Sequence, residues 1–305
     1  MNKSAPYRGR FAPSPTGELH FGSLIAATAS YLQARVNKGE WLVRIEDIDE
    51  IRTIAHSDLH ILQALEQLGF EWDGDLIYQS QRKSLYQDYL DSLIEAKQVF
   101  ACDCTRRQLR QKAEQQNLDL AVYPAVYPGI CRNKSLPLTA QLAQRCLTTS
   151  TDIRFIDQVQ GNYEVNLAQD CGDFIVKRRD GFFAYQLVVV IDDAEQGITD
   201  IVRGADLLSS TPQQIYLQQL LNLAPVNYAH LPVAMQKNGN KLSKSHQDLA
   251  VRHQNPAEIL CSVLTYLQQS PPPELALSKV NEIWQWAFEN WEISKISPRR
   301  EIIVN

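Results

Sequence analysis

The chain has 305 residues, 44% of them hydrophobic, with 30 lysines and arginines against 35 acids and a formal net charge of −5. That much apolar material builds one or two cores and excludes a disordered or fibrous chain. Residues 1–10 are polar and basic without an apolar stretch, and the longest apolar run, 187–191, is far too short to span a bilayer, so a cytoplasmic protein is expected.

In chain order, 7–12 reads as a strand and 24–37 as a helix, with Leu24, Ala27, Tyr31 and Ala34 at helical spacing. A strand at 41–46 and a helix at 57–68, closed by Gly69, complete a β-α-β-α start with parallel strands. Residues 101–172 break this rhythm with cysteines, Pro124, Pro128, Gly129, Pro137 and a polar helix, and so read as an insertion. Buried strands at 174–177 and 185–191 and a helix at 212–223 resume the pattern. Last come two amphipathic helices, 257–267 and 280–291, joined by Pro271-Pro272-Pro273. They are expected to pack as a small C-terminal bundle with Trp284, Trp286 and Trp291 in its core or interface. The predicted class is α/β, a doubly wound parallel sheet split by the insertion. Its units are 1–100, 101–172, 173–240 and 241–305. A ligand site is expected at the carboxyl ends of the strands, where Arg10, Glu46 and Tyr185 fall.

Two segments carry the chemistry. In 10–23, Pro13, Pro15 and Gly17 forbid regular structure, and Gly22-Ser23 then sits near a helix start. The unpaired N–H groups and positive dipole end of such a helix attract phosphate, and Gly22 lets a nucleotide approach the backbone closely. His20 can donate to a phosphate oxygen. In 241–245, Lys241 and Lys244 suit the pyrophosphate end of a triphosphate, where charge accumulates during attack of a carboxylate on the α-phosphorus.

In order, separation and intervening pattern, His20-Phe21-Gly22-Ser23 and Lys241-Leu242-Ser243-Lys244-Ser245 resemble the HIGH and KMSKS motifs of the class I aminoacyl-tRNA synthetases. The string 10–22 narrows the resemblance to glutamyl-tRNA synthetases, as do Arg44-Ile45-Glu46-Asp47-Ile48-Asp49, 180–185 and 197–204. It covers most of 7–250. Ordinary glutamyl enzymes continue into a large helical anticodon-binding region, and the short segment after Ser245 does not match it. A chain shortened in this way resembles the glutamyl-queuosine tRNA(Asp) synthetases, paralogues that place glutamate on the queuosine base of tRNA(Asp). The resemblance implies a class I synthetase-type Rossmann fold with a zinc-containing insertion. It implies an enzyme acting on ATP with Mg²⁺, L-glutamate and tRNA(Asp) carrying queuosine, expected as a monomer. A trimmed glutamyl-tRNA synthetase charging a 3′ end, and a non-catalytic tRNA-binding protein of the same fold, are the alternatives. With a negative net charge, RNA contact must come from local clusters. Candidates are Arg106, Arg107 and Arg110, and Lys177, Arg178 and Arg179; each reads equally as a solvated face.

By the resemblance, His20, Gly22, Lys241 and Lys244 are catalytic, and these with Ser23 and Ser243 bind ATP. Glutamate presents an ammonium and two carboxylates, so its site needs one carboxylate and two strong cationic donors, arginine being preferred for its planar fork. The resemblance gives Arg10 and Tyr185 the side-chain carboxylate, Arg203 the α-carboxylate and Glu46 the ammonium, with Ala12 and Ser14 lining the loop. Glu46 could instead pair with Arg44 or Arg52, and Arg203 with Asp206. Where glutamyl enzymes commonly read Tyr-His-Leu-Ala-Asn, this chain has Tyr185-Gln186-Leu187-Val188-Val189, which replaces a polar contact by an apolar one.

Six cysteines in an intracellular chain point away from disulfides, and Cys102-Asp103-Cys104 with Cys131 is a partial zinc set lacking a fourth ligand. Ordinary family members supply a histidine two residues on, where this chain has Asn133. Tyr127 matches the Tyr-x-x-x-Cys pattern of the queuosine paralogues and is the expected fourth ligand, with Cys146 and Cys171 in reserve. Such a site would be structural; three buried reduced thiols are the alternative.

Overall fold

The computed structural model describes residues 6–115, 126–236 and 251–304. Its first half runs β1 (Arg8–Phe11), α1 (Phe21–Val36), β2 (Glu40–Ile45), α2 (Ser57–Gln67), β3 (Ile77–Tyr78) and α3 (Lys83–Glu95). Then come β4 (Val99–Cys102), α4 (Arg106–Gln115), β5 (Ala143–Cys146), β6 (Asp152–Asp157), β7 (Gly161–Asn166) and β8 (Phe174–Lys177). The remainder is α5 (Tyr185–Glu195), β9 (Asp200–Gly204), α6 (Thr211–Leu220), β10 (Asn227–Leu231), β11 (Val233–Met235), α7 (Pro256–Tyr266), α8 (Val280–Asn290) and β12 (Glu301–Ile303).

Strands β1, β2 and β3 form one parallel sheet, and a second has the order β7-β6-β10-β9, with β6, β9 and β10 parallel and β7 antiparallel to β6. The two sheets meet where Thr199 N–H donates to Arg8 C=O (2.9 Å) and Arg8 N–H to Thr199 Oγ1 (2.8 Å). This layer brings the carboxyl ends of β1, β2, β9 and β10 to one edge. A third sheet, β4-β5-β8, is antiparallel.

The segments 7–12, 24–37, 41–46, 57–68 and 212–223 take their expected helical or extended form, with shifts of a few residues at the ends. Other segments differ. The run 187–191 is not a strand but the middle of α5, with Leu187, Val188, Val189, Val190 and Ile191 all buried. A helix covered on every side carries the same unbroken apolar run as a buried strand. Nor does β8 belong to the parallel layer: it pairs antiparallel with β5 in the sheet begun by the cysteine-rich segment. Conversely the hairpin β6-β7, inside 101–172, joins the sheet of β9 and β10, so sheet membership crosses the expected boundary at 172.

The C-terminal helices do not stand apart as a bundle. Both α7 and α8 pack on α1, and their side chains share one core with β1, β2 and β10. Trp284 donates Nε1–H to Leu68 C=O (2.8 Å) and lies edge-on to Tyr31 and Phe70, each 4.9 Å between ring centroids. Trp291 donates to Gln33 Oε1 (2.7 Å). Trp284 and Trp291 are thus core residues, while Trp286 packs half-buried against the same core. Among the described residues no helix is long and apolar enough to cross a membrane.

Candidate active site and cysteine cluster

A cavity of about 400 Å³ opens at the carboxyl ends of β1, β2, β9 and β10. Its wall includes Arg10, Ala12, Ser14, His20, Gly22, Ser23, Glu46, Tyr185 and Arg203, so every described residue assigned above to glutamate or ATP meets in one place. Lys241, Ser243 and Lys244 lie outside the described residues.

The loop after β1 is held from several directions. Glu46 N–H donates to Pro13 C=O (2.9 Å), Ile54 N–H to Pro15 C=O (2.9 Å), and Ser57 Oγ both accepts from Gly17 N–H (3.0 Å) and donates to Gly17 C=O (2.5 Å). Gly17 has a φ of 142°, which a side chain would resist. The loop ends at His20, the N-cap of α1, whose Nδ1 accepts from Ser23 N–H (3.3 Å) while Nε2 lies 2.9 Å from Ser23 Oγ. Since Nδ1 accepts, a neutral His20 carries its proton on Nε2. The first turn of α1, the positive end of the helix dipole, faces the cavity through Gly22 and Ser23, with the Ser23 N–H capped by His20.

The charged wall is a buried network that the sequence only half disclosed. Arg10 donates from Nε and Nη2 to the two carboxylate oxygens of Asp193 (3.0 and 3.3 Å), which leaves Nη1 without a protein partner among the described residues. Arg44, fully buried, reaches Asp193 (2.9 Å), Glu46 (3.2 Å) and Gln196 Oε1 (2.6 Å). The alternative pairing of Glu46 with Arg44 therefore exists, alongside its place on the cavity wall; Arg52 pairs with Asp49 instead. Burial pushes Glu46 above the ordinary carboxylate range against the pull of Arg44 and Arg10. Burial also opposes ionisation of Asp193, yet Arg10 and Arg44 hold it below that range.

On the neighbouring strand β9, Arg203 donates to Tyr185 Oη (3.3 Å), Thr211 Oγ1 (2.9 Å) and His230 Nε2 (3.0 Å). Burial raises the Tyr185 phenol, which stays protonated at neutral pH. The sequence pointed to Arg44 as a possible partner of Glu46, but gave no role to Asp193, His230 or Asp157. The one signal was Asp192-Asp193, a pair of acids closing the apolar run of α5.

Cys102, Cys104 and Cys131 place their sulfurs within 4.8 Å of one another. Four ligands at a zinc–sulfur distance of about 2.3 Å would stand about 3.8 Å apart, so this group could close on a metal ion with small movements. Tyr127 joins them, its Oη 3.5 Å from Cys102 Sγ and 3.7 Å from Cys104 Sγ, while accepting from Cys131 N–H at 2.8 Å. Arg145 lies 3.9 Å from the Tyr127 ring centroid. The reserve candidates are elsewhere: Cys146 and Cys171 are buried in the core around α5 and α6.

Of the two basic clusters, the first lies together on one helix, where residues three and four apart share a face, and the second is dispersed. Arg106, Arg107 and Arg110 are exposed on α4. Lys177 bonds Gln87, Arg178 is shared between Asp49 and Asp180, and Arg179 donates to Asp103 C=O, because alternate positions leave a strand and its turn in different directions.

Fold and cavity together define an enzyme class. A family model described as tRNA synthetases class I (E and Q), catalytic domain, matches residues 7–259. A chain from Dechloromonas aromatica (strain RCB) named glutamyl-Q tRNA(Asp) synthetase is 46% identical over 302 residues, covering 99% of each chain. Another of that name, from Vibrio parahaemolyticus serotype O3:K6, is 44% identical over 298 residues, 98% of this chain and 97% of its own. This chain belongs to the class I tRNA synthetases and, within them, to the glutamyl-Q tRNA(Asp) synthetases. Among solved structures, a glutamate-tRNA synthetase from Elizabethkingia anophelis superposes with a TM-score of 0.81 at 23% identity, over 99% of this chain and 68% of that one. A glutamate tRNA ligase from Elizabethkingia meningosepticum, in complex with its amino acid, gives 0.79 at 23% identity, over 97% and 66%. The chain thus spans about two thirds of the length of these structures, and at that identity the likeness concerns the fold.

Proposed function

We propose that this protein activates L-glutamate with ATP·Mg²⁺ to glutamyl-adenylate and passes the glutamyl group to the queuosine base of tRNA(Asp). The observation that carries it is the convergence of Arg10, Glu46, Tyr185 and Arg203 with the His20 end of α1 on one cavity, in a chain that shares nearly its whole length with relatives named for this reaction. Arg203 suits the α-carboxylate of glutamate, and Arg10 with Tyr185 its side-chain carboxylate. Glu46, ionised beside Arg44, suits the ammonium. The acceptor carboxylate then lies toward α1, whose N-terminal end, His20 and Ser23 meet the phosphates; Lys241, Ser243 and Lys244 are assigned to the phosphates by their motif alone.

The carboxylate oxygen attacks the α-phosphorus, the bond to the leaving pyrophosphate breaks, and Mg²⁺, held largely by water and phosphate, offsets charge on the pyrophosphate. No side chain need act as a covalent nucleophile. Positioning and charge stabilisation supply the rate. In the second step a hydroxyl of the queuosine diol attacks the acyl carbon and AMP leaves. The diol resembles the vicinal hydroxyls of a terminal ribose, so one catalytic geometry serves either acceptor. An unpaired anticodon loop can present the base splayed out, as single-stranded RNA is usually read.

A structural Zn²⁺ held by Cys102, Cys104, Cys131 and Tyr127 is part of this reading, supported by the convergence of three sulfurs and one phenol oxygen. So are a monomeric state and a cytoplasmic location. Glutamate-dependent exchange of pyrophosphate into ATP, run with pure folded protein and no tRNA, tests the first step. Exchange is expected; its absence would overturn the proposal.

A further inference from the structure

We infer that His230 is a positioning residue for glutamate binding, acting through Arg203 with its tautomer fixed by Asp157. This rests on the reading of Arg203 as a ligand of the substrate carboxylate. His230 is fully buried in β10 and does not line the cavity, whereas Arg203, its neighbour in register on β9, does. Nδ1 of His230 lies 2.6 Å from Asp157 Oδ2, and Nε2 lies 3.0 Å from Arg203 Nε.

The proton positions follow from the partners. A guanidinium can only donate, so Nε2 must accept, and the ring proton sits on Nδ1, facing the carboxylate. Asp157 cannot turn away, because its Oδ1 accepts the N–H groups of Val159 (3.0 Å), Gln160 (2.9 Å) and His230 (3.0 Å). Three backbone amides therefore orient one carboxylate, the carboxylate selects one tautomer, and the tautomer presents a lone pair to one arginine. Thr211 Oγ1 accepts from Nη2 of the same guanidinium (2.9 Å), and the plane of Arg203 is set on two sides. Nη1 also donates to Tyr185 Oη (3.3 Å), and the two Nη hydrogens then left over can meet a carboxylate, whose bidentate recognition depends on that plane. With a proton on Nε2, donor would face donor and the guanidinium would swing out of register.

The test is a pair of substitutions at one buried position. In His230→Asn the short amide can keep the Asp157 bond but cannot reach Arg203; in His230→Gln the longer amide oxygen reaches the place of Nε2. Steady-state pyrophosphate exchange is measured for each variant as KM for glutamate and KM for ATP. The expectation for Asn is a rise of about tenfold in the glutamate KM, the scale of one lost hydrogen bond to a charged group, with the ATP KM within twofold. Gln should recover most of the loss. The near-isosteric Asp157→Asn, which frees the ring to take the other tautomer, should reproduce the Asn result and serves if that variant fails to fold. A glutamate KM within twofold of the wild type in these variants, or equal rises in the KM for glutamate and ATP, would overturn the inference. Arg203→Ala separates the two levels: if it leaves the glutamate KM unchanged, the reading of Arg203 itself fails.

Discussion

Asp193 grips Arg10 with both carboxylate oxygens, at 3.0 Å to Nε and 3.3 Å to Nη2, and the side chains are 4% and 3% exposed. The same Asp193 Oδ1 accepts from Arg44 at 2.9 Å, and Arg44 also reaches Glu46. One buried acid at the end of α5 thereby ties the cation on β1 to the cation and the acid at the end of β2. Arg10 and Glu46, on the cavity wall, thus rest on Asp193 and Arg44, which do not line it.

Replacing Asp193 by Asn should therefore raise the glutamate KM and weaken the fold together. Removing one member of a buried pair leaves the other uncompensated, and about 3–5 kcal/mol is the usual cost. The pH dependence has a definite sign. Asp193 is held below its unfolded value, so its contribution is present at neutral pH and is lost as pH falls below about 4 toward the folded value. Urea unfolding from pH 7 to pH 3 should show a steeper loss for the wild type than for Asp193→Asn. Parallel curves would contradict this.

Glu46 should titrate in the opposite sense. Burial raises it, so any stability from its protonated form is present at low pH and lost as pH rises through the folded value. In the role proposed for Glu46, only the ionised form holds the ammonium. In the free enzyme, kcat/KM for glutamate should fall on the acid side with a midpoint above the usual value of about 4.3. Glu46→Gln should lower kcat/KM at pH 7.5 and remove that limb. A variant that retained the wild-type profile would show that Glu46 does not hold the substrate.

Much of the candidate site was legible in the sequence because its residues sit in a few short motif stretches, at the ends of β1, β2 and β9 and at the starts of α1 and α5. Arg10, His20, Glu46, Tyr185 and Arg203 could be named without coordinates. Asp193 could not: it is 183 residues from Arg10, and only the tertiary fold, which sets the end of α5 beside β1, makes them neighbours. His230 and Asp157 are 73 residues apart for the same reason. The error at 187–191 has a local cause, since a run of five buried aliphatics has no polar face to betray a period of 3.6 rather than 2. The hairpin β6-β7 was hidden by its position inside a segment whose prolines and cysteines dominate the pattern.

The cysteine cluster should hold one zinc per chain in protein purified without chelator, as read by metal analysis. Cys102→Ser should reduce zinc content and lower the unfolding midpoint more than it lowers glutamate activation in the folded fraction, because the cluster contributes no wall to the cavity. Tyr127→Phe should also lose metal, since it removes the oxygen beside Cys102 and Cys104. Full zinc content in Tyr127→Phe would point to another fourth ligand.

Labelled glutamate, ATP and the protein should be incubated with tRNA(Asp) carrying queuosine and, in parallel, with tRNA(Asp) carrying guanosine at the wobble position, and the label then located by nuclease digestion. Label is expected only on the queuosine-containing tRNA, in the anticodon fragment. Label on the 3′ adenosine, or equal labelling of the guanosine form, would contradict the account and favour a trimmed synthetase that charges the ordinary end.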